Sequence, residues 1–446
     1  MTYLPQSESD RQALLAGAGV KSVEALFRDI PPQLRATATP DLPPALSEPD
    51  LLRHLQSLAK QNRSLEDLTC FAGGGVYDHF IPSLVLDVVS RPEFKTGYTP
   101  YQPEASQGLL QALFEYQSMI CELTGMPVAN ASLYDGASAL GEAVLLAAGF
   151  TERPRALISR ALSPSARHVA RTYCSALGIV IEDVPYVGAT GETDLDALRA
   201  AIGDDVCCVA LQQPNYFGVL ENMGVAGELA HEAGALFTAA VEPISLGLLK
   251  PPGAYGADLV VGEGQPLGLV PGYGGPLLGV FACREDMMRR MPGRVVGETV
   301  DADGRRAYCL TLQAREQHIR REKATSNICT SESLCALAAA AYLAALGPQG
   351  LRDVAEQGVQ KAHFLADRLS AAGVARPRFR GACFNEFAVD VGEPADGVVR
   401  RLAERGYLAG PSLAREYPEL RSCLLLAVTE QRTAQDLDGL VAALRA

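Results

Sequence analysis

The run Val206-Cys-Cys-Val-Ala-Leu-Gln212 decides the fold class, because it is apolar at every position but its last. A strand buried on both faces is a continuous apolar run, without the alternation of a half-exposed strand. Helical patterns separate similar runs along the chain. These runs are Arg155–Ser159, Gly178–Val184, Ala235–Val241, Asp258–Val261 and Leu277–Cys283. The alternation predicts an α/β protein whose mostly parallel sheet is covered by helices on both faces.

Three regions are predicted along the 446 residues. Residues 1–68 contain short helical patterns broken by prolines and are predicted to form an N-terminal helical arm. Residues 69–330 hold the apolar runs and form a large α/β domain. Residues 331–446 combine helical patterns with two further strand candidates, Asn385–Val391 and Leu424–Thr429, and form a small C-terminal α+β domain.

Composition narrows the functional class. Lys and Arg total 39 against 52 Asp and Glu, so the formal net charge is −13 and argues against a nucleic-acid partner. The apolar run Leu334–Leu346 is typical of a buried helix and too short for a membrane span. No secretory signal pattern begins the sequence, and neither the cysteines nor the histidines show metal-ligand spacing. We therefore expect a cytoplasmic protein without a membrane partner or a metal.

Two predicted loops have an unusual amino-acid composition. The segment Tyr98-Thr-Pro-Tyr-Gln-Pro-Glu-Ala-Ser-Gln-Gly108 has prolines that stiffen it ahead of a predicted helix, and rigid loops often carry sites. The alternative is that both tyrosines simply pack under the N-terminal arm. The Gly-rich segment Phe71–His79 allows close backbone approach to a ligand but could equally be an ordinary loop.

Two further segments suggest anion binding. Asn130–Glu142 enters a helix, and a helix N-terminus can bind phosphate or carboxylate through its free N–H groups. An ordinary cap by Asp135 or Ser132 is the equal alternative. His318-Ile-Arg-Arg-Glu-Lys-Ala-Thr-Ser-Asn-Ile-Cys-Thr330 is basic and then rich in hydroxyl and amide groups. Such a charge run is often a solvated face, although its hydroxyl groups are suited to holding a phosphate.

Taken together and in order, these segments resemble the glycine-cleavage P-protein family, the decarboxylating glycine dehydrogenases. The resemblance is to the alpha subunit of the two-subunit form and runs from about residue 5 to the C-terminus. It also rests on Ala129–Gly136, Tyr273-Gly-Gly-Pro276 and Met291-Pro-Gly-Arg-Val-Val-Gly297. The family implies the fold-type-I architecture of pyridoxal-phosphate (PLP)-dependent transferases, similar to aspartate aminotransferase.

A PLP enzyme of this fold needs a lysine amine to bind the cofactor covalently. It also needs an acid after the strand Ala235–Val241, where this chain has Glu242 and an Asp would be expected. The chain has only six lysines against 33 arginines, and residues 251–322 contain no lysine. Lys250 comes too early, and Lys323 lies in a motif of a different role. The sequence therefore predicts that this chain cannot hold the cofactor itself.

The resemblance implies that a homologous beta subunit carries PLP, in an α2β2 heterotetramer that acts on glycine and on lipoylated H-protein. It implies that Tyr98, Tyr101, Gln102 and Glu104 line the glycine or lipoyl-arm side of the shared site. It also implies that Thr325, Ser326 and Asn327 approach the PLP phosphate in trans; Tyr77 and His79 are weaker candidates. The alternatives are an autonomous PLP enzyme using Lys250 or Lys323, or a non-enzymatic scaffold.

Overall fold

The computed structural model describes residues 6–36, 41–95, 97–272 and 274–445. Tyr273, part of one quoted motif, lies outside the described residues. The chain forms two units, Met1–Arg63 and Ser64–Ala446. The first unit thus ends a few residues before the predicted arm boundary at residue 68. The boundary predicted between residues 330 and 331 falls within the second unit and stays a prediction.

The first unit consists of short helices that begin at capping residues. They are α1 Glu8–Gly17, α2 Pro32–Ala36 and α3 Glu48–Ala59, with a 3-10 turn at Glu24–Phe27. Ser7 caps α1, because its hydroxyl accepts from the Asp10 N–H at 3.3 Å while the Asp10 carboxylate accepts from the Ser7 N–H. Ser47 caps α3, because its hydroxyl accepts from the Asp50 N–H at 3.4 Å. The sequence patterns predicted helical segments at Ser22–Phe27 and Glu48–Lys60, and these coincide with the 3-10 turn and with α3.

The second unit contains the remaining regular elements. Its helices are α4 Ser83–Ser90, α5 Pro92–Lys95, α6 Gln107–Thr124, α7 Gly136–Thr151, α8 Pro164–Ser175, α9 Leu195–Ala201, α10 Met223–Glu232, α11 Gln317–Arg320, α12 Ser333–Ala372, α13 Ala395–Glu404 and α14 Ala434–Arg445. Its strands are β1 Thr69–Phe71, β2 Val128–Ala129, β3 Arg155–Ser159, β4 Val180–Val184, β5 Val206–Gln213, β6 Leu236–Val241, β7 Leu259–Glu263, β8 Gly279–Cys283, β9 Val295–Val300, β10 Arg306–Thr311, β11 Arg376–Pro377, β12 Glu386–Asp390, β13 Tyr407–Ala409 and β14 Cys423–Ala427.

A seven-stranded sheet in the order β2-β8-β7-β6-β5-β3-β4 organises this unit. Strands β3 to β7 pair in parallel, and β8 pairs antiparallel with β7 on one side and with β2 on the other. All six apolar runs recognised in the sequence are strands of this sheet. The predicted mostly parallel sheet is therefore confirmed.

Helices cover both faces of the sheet, as the continuous apolar strands require. Along β6, Phe237 and Ala239 pack on the face covered by α6, α10 and α12. Leu236 points to the other face, which α7 and α8 cover. Side chains of successive strand residues point to opposite faces, so a strand covered on both sides must be apolar throughout.

Helix α12 is the longest apolar helix described, and its composition alone would allow a membrane span. Its helical geometry is interrupted at Gly347, whose φ of 62° lies in the left-handed region, and Pro348 follows. Before this break, Ala336, Ala339 and Tyr342 are buried in the core that covers the sheet. The run Leu334–Leu346 therefore forms a core helix, as its pattern predicted.

The C-terminal part of the unit is built on the antiparallel sheet β11-β12-β14, with α13 and α14. It lies directly against the loop that follows β5. A Cβ at Gly218 would lie 1.7 Å from the carbonyl oxygen of Glu386, so only glycine permits this approach. The hairpin of β9 and β10 is a further antiparallel pair that the sequence patterns did not indicate.

Candidate functional site

A cavity of about 280 Å³ lies where strands β5, β6 and β7 end, at their carboxyl ends. We call it the sheet-edge cavity. Its lining includes Tyr77, Gly136, Gln212, Glu242 and Glu263. In open α/β sheets ligands bind at this edge, because loops there converge with helix N-termini. This is the place where the fold would hold a cofactor.

Glu263 occupies the anion position of the sheet-edge cavity. Its carboxylate accepts from the backbone N–H of Gly136 at 3.0 Å, of Gln265 at 2.9 Å and of Leu278 at 2.8 Å. Gly136 begins α7, whose N-terminus would otherwise offer its free N–H to a bound phosphate. A Cβ at Gly136 would lie 2.8 Å from the Glu263 nitrogen, so glycine is needed for this approach. The chain fills the position with its own carboxylate.

Asp135 caps the same helix by accepting from the Ser138 N–H at 2.7 Å. The ordinary cap weighed for this segment is therefore present, and the remaining anion position beside it is taken by Glu263. Burial raises the pKa of Glu263 to about 7, although its three N–H donors act in the opposite direction.

The other groups of this cavity do not fit a covalently held PLP. Glu242, at the end of β6, accepts from the N–H groups of Ile244 and Ser245 at 2.9 Å and 2.7 Å, so it caps its own 3-10 turn. Within the described ranges no lysine lines the cavity, and Lys250 and Lys323 both lie outside its lining. Among the described residues the cavity therefore offers no amine for a covalent bond to PLP, and its anion position is filled by Glu263.

Tyr77 and His79 are buried and engaged in structural contacts. The Tyr77 hydroxyl donates to Glu386 at 3.0 Å, and Glu386 also accepts from the Gly74 N–H at 2.6 Å. His79 Nδ1 lies 2.7 Å from a Glu430 carboxylate oxygen. Burial raises the pKa of Glu386 to about 8. These contacts tie the Gly-rich segment to the C-terminal sheet.

A second cavity, of about 440 Å³, contains two of the residues predicted to approach a phosphate, Thr325 and Ser326. We call it the arginine cavity, because its lining also includes Arg289, Arg290, Arg315 and Arg320. Thr325 is exposed and Ser326 half-buried. Asn327 is exposed and is absent from the lining given by the described residues.

A fully buried arginine joins the wall of the arginine cavity to the loop Tyr98–Gly108. Arg294 is 2% exposed, and it donates to Glu316 at 3.1 Å and to the Tyr101 hydroxyl at 2.7 Å. It also donates to the carbonyl of Cys329. The guanidinium lies 4.7 Å from the Tyr101 ring centroid, within the range of a cation–π contact. Two motifs about two hundred residues apart therefore meet at one buried cation.

The predicted site residues fall into two groups. Tyr101 is brought to the 316–329 segment, which also contains Thr325 and Ser326. Tyr98, 85% exposed, and the exposed Gln102 and Glu104 stay on the outer side of their loop. None of these three side chains lines either cavity. Their predicted contact with glycine or the lipoyl arm stays a prediction.

Sequence reasoning missed three functional candidates. Glu263 was visible only as part of a segment that lacks lysine. Arg294 lies in the quoted motif Met291–Gly297, and Arg315 lies just before the basic segment His318–Thr330. Neither sequence position indicates that the guanidinium is removed from solvent. The signal that could have found Arg294 is its place between a proline–glycine turn and an apolar strand, where an arginine needs a buried partner.

Comparisons with known proteins agree with this architecture. A solved structure of glycine decarboxylase (P-protein) of the glycine cleavage system, in inhibitor-bound form, superposes with a TM-score of 0.91 and 46% identity. The alignment covers 100% of this chain and 99% of that one. A sphingosine-1-phosphate lyase of Burkholderia pseudomallei shares the fold, with a TM-score of 0.67 and 17% identity over 93% of this chain and 94% of that chain.

The chain therefore has the fold-type-I architecture of PLP-dependent enzymes. Residues 1–444 match the family described as Glycine cleavage system P-protein. A probable glycine dehydrogenase (decarboxylating) subunit 1 of Moorella thermoacetica is 52% identical over 100% of this chain and 99% of its own length. The protein of the same name in Geobacillus kaustophilus is 51% identical over 98% of this chain and 97% of its length. The chain belongs to the glycine cleavage system P-protein family.

Proposed function

We propose that this chain is subunit 1 of a glycine dehydrogenase (decarboxylating) of the glycine cleavage system. In the overall reaction, glycine loses CO2 and its aminomethyl group passes to the lipoyl disulfide of H-protein. Relatives that carry the subunit 1 name match this chain over nearly their full length, which supports the same activity. The observation that carries the proposal is the sheet-edge cavity, which keeps its place in the fold but lacks a lysine in its lining and is filled by Glu263.

We propose further that a homologous beta subunit holds PLP and that the active form is an α2β2 assembly. This chain then contributes to the partner's pocket rather than to its own. Thr325, Ser326 and Asn327 would face the cofactor phosphate, and Tyr101 would reach the same region because Arg294 joins its loop to that segment. A cytoplasmic location is part of this proposal and rests on the sequence pattern alone.

The same proposal assigns a substrate-facing role to three exposed residues, Tyr98, Gln102 and Glu104. Polar side chains on a proline-stiffened loop keep a fixed direction without internal partners. An outer surface of this kind suits contact with glycine or with the lipoyl arm once the partner encloses it. The tyrosine and carboxylate groups would position a substrate, while the chemistry of decarboxylation belongs to the cofactor.

Reconstitution tests the division of labour. The isolated chain, mixed with PLP and reduced with borohydride, is expected to retain no cofactor, because the sheet-edge cavity offers no amine. The same chain mixed with a beta-type subunit is expected to release CO2 from carboxyl-labelled glycine in the presence of lipoylated H-protein. A borohydride-stable PLP adduct on this chain would contradict the proposal.

Variants in the reconstituted complex test the residue assignments. Tyr98→Phe and Thr325→Ala are each expected to lower kcat/KM for glycine by about tenfold or more, the usual effect of losing a hydrogen bond to a charged group. Thr172→Ala, on an exposed face of α8, is the matched control and should keep full activity. Full activity in both site variants would show that these residues do not complete the active site.

A further inference from the structure

The arginine cavity has more positive charge than its own carboxylates can balance. Four guanidinium groups line it, from Arg289, Arg290, Arg315 and Arg320, against one carboxylate, Glu316. That carboxylate is already paired with buried Arg294 at 3.1 Å and lies 3.5 Å from His318. The cavity is therefore cationic after its internal pairing is complete.

Arg315 is the member of this group that most needs an acceptor. Its Nη1 donates to the carbonyl of Met291. Its Nε and Nη2 are buried and have no partner among the residues that the structure describes. Burial lowers the pKa of Arg315, because the charged form loses its hydration. Unpaired donors on a buried cation are costly, and a bound anion is the usual way to satisfy them.

The remaining lining supplies donors around this position. Arg290 is anchored by the Gly149 carbonyl and the ring of Phe150, so its guanidinium is held at the cavity. Arg289 and Arg320 are exposed and bring charge to the opening. The hydroxyls of Thr325 and Ser326 can donate as well. Guanidinium forks with hydroxyls form the donor set that phosphate oxygens prefer.

A second carboxyl, behind the lining residue Ser326, also opposes an anion here. Glu142, on α7, is buried and bonds to Ser326, and burial raises its pKa to about 7. Near neutral pH this group is therefore partly protonated and opposes an anion less than a free carboxylate would. The four arginines outnumber it in any case.

We propose that the arginine cavity is a binding site for a phosphate group, with Arg315 as its central ligand. The proposal rests on the function proposed above, which places Thr325 and Ser326 toward a phosphate. Two sources share this chemistry: a phosphate presented by the partner subunit's cofactor, or free inorganic phosphate. The first would make Arg315 and Arg320 the charge partners of the cofactor phosphate across the interface.

Titration calorimetry of inorganic phosphate into the isolated full chain tests the site at constant ionic strength. Saturable binding is expected at one site per chain. Arg315→Gln should weaken it by about tenfold or more, because a charge-assisted hydrogen bond to a buried group is lost. Arg320→Gln, at an exposed position that folding does not need, should weaken it about threefold. Arg415→Gln, whose side chain is 91% exposed outside the cavity, is the matched control and should bind as the wild type does.

Titration of the reconstituted complex separates the two sources. If the partner's cofactor supplies the phosphate, the assembled complex takes up no inorganic phosphate at this site, whereas a free effector binds the complex as it binds the isolated chain. Either result, with the expected variant effects, supports the site. Two results would overturn the proposal. One is that the isolated chain binds no phosphate at a concentration about 20-fold above a millimolar Kd. The other is binding that neither arginine variant weakens. Activity of the wild-type complex is measured separately, so the inference can fail while the proposed function stands.

Discussion

In the sheet-edge cavity the Glu263 carboxylate meets three backbone N–H groups, whereas in the arginine cavity the Nε and Nη2 of Arg315 meet no acceptor among the described residues. Both places suit an anion. The first has acquired an internal one and is complete within the chain. The second keeps two donors without an acceptor among the described residues. The chain thus fills the cofactor position of its own fold with a carboxylate and leaves the arginine cavity with unpaired positive groups.

The largest expected effect comes from Arg294, the buried cation that supplies Glu316 with its partner. Arg294→Ala should lower the free energy of unfolding by about 3–5 kcal/mol, because it leaves a buried carboxylate uncompensated. Urea unfolding measures this. It should also weaken phosphate binding, since the uncompensated Glu316 carboxylate lines the arginine cavity and repels an anion.

Arg305→Ala is the matched control, because Arg305 forms an exposed pair with Asp303. Its loss should change the free energy of unfolding by less than about 0.5 kcal/mol. If Arg294→Ala changed the free energy of unfolding by a similarly small amount, the buried Glu316 carboxylate would not depend on Arg294. The arginine cavity would then be less sensitive to its internal pairing than the contacts indicate.

A smaller effect is expected from Glu263→Ala, which would make the sheet-edge cavity resemble the arginine cavity. Three N–H groups lose their acceptor, and the free energy of unfolding should fall by about 2 kcal/mol, since water can enter the cavity and limit the loss. Inorganic phosphate should then raise the Tm of this variant more than it raises that of the wild type. An equal rise in both proteins would show that the vacated N–H groups do not form an anion site.

The smallest effect concerns pH. The folded-state pKa of Glu263 is raised from 4.5 to about 7, so the folded chain binds a proton more tightly than the unfolded chain does. Stability from this group is therefore greatest at low pH and falls as pH rises from about 4.5 through 7. When the pH rises from 6 to 8, the free energy of unfolding of the wild type should fall by about 1 kcal/mol more than that of Glu263→Gln.

The exposed carboxyl of Glu228 on α10 provides the control for this pH series. Glu228→Gln should follow the wild-type pH dependence in urea unfolding at each pH. An identical slope in Glu263→Gln and the wild type would mean that the backbone N–H groups keep Glu263 ionised throughout, and the sheet-edge cavity would then hold a full negative charge.

The sheet could be predicted because its strands are continuous apolar runs. Arg155–Ser159, for example, was predicted with the bounds that β3 has. The hairpin of β9 and β10 could not be predicted, because residues such as Glu298 and Arg306 are polar and neither strand is a continuous apolar run. Local patterns also carry no information on pairing between distant segments, so Arg294 meeting Tyr101 and Glu263 meeting Gly136 emerge only when the chain is folded.

The absence of lysine from residues 251–322 was readable directly, and it is the basis of the prediction that this chain holds no covalent cofactor. What the sequence could not convey is how the vacated space is used. The partners of their polar atoms distinguish Glu263 and Arg315: three N–H groups donate to the Glu263 carboxylate, whereas two buried nitrogens of Arg315 have no acceptor among the described residues. Thr325 and Ser326 were predicted to approach a phosphate from their chemistry, and that role stays a prediction.

Glu263 also bears on descent. A lysine introduced into the segment 262–268 would meet an anion position already occupied, so the amine alone would gain no cofactor. Removal of Glu263 alone would leave N–H groups unpaired and still provide no amine. Neither single substitution would supply both an amine and a vacant anion position, so a covalent PLP site in this chain would need at least two coordinated changes.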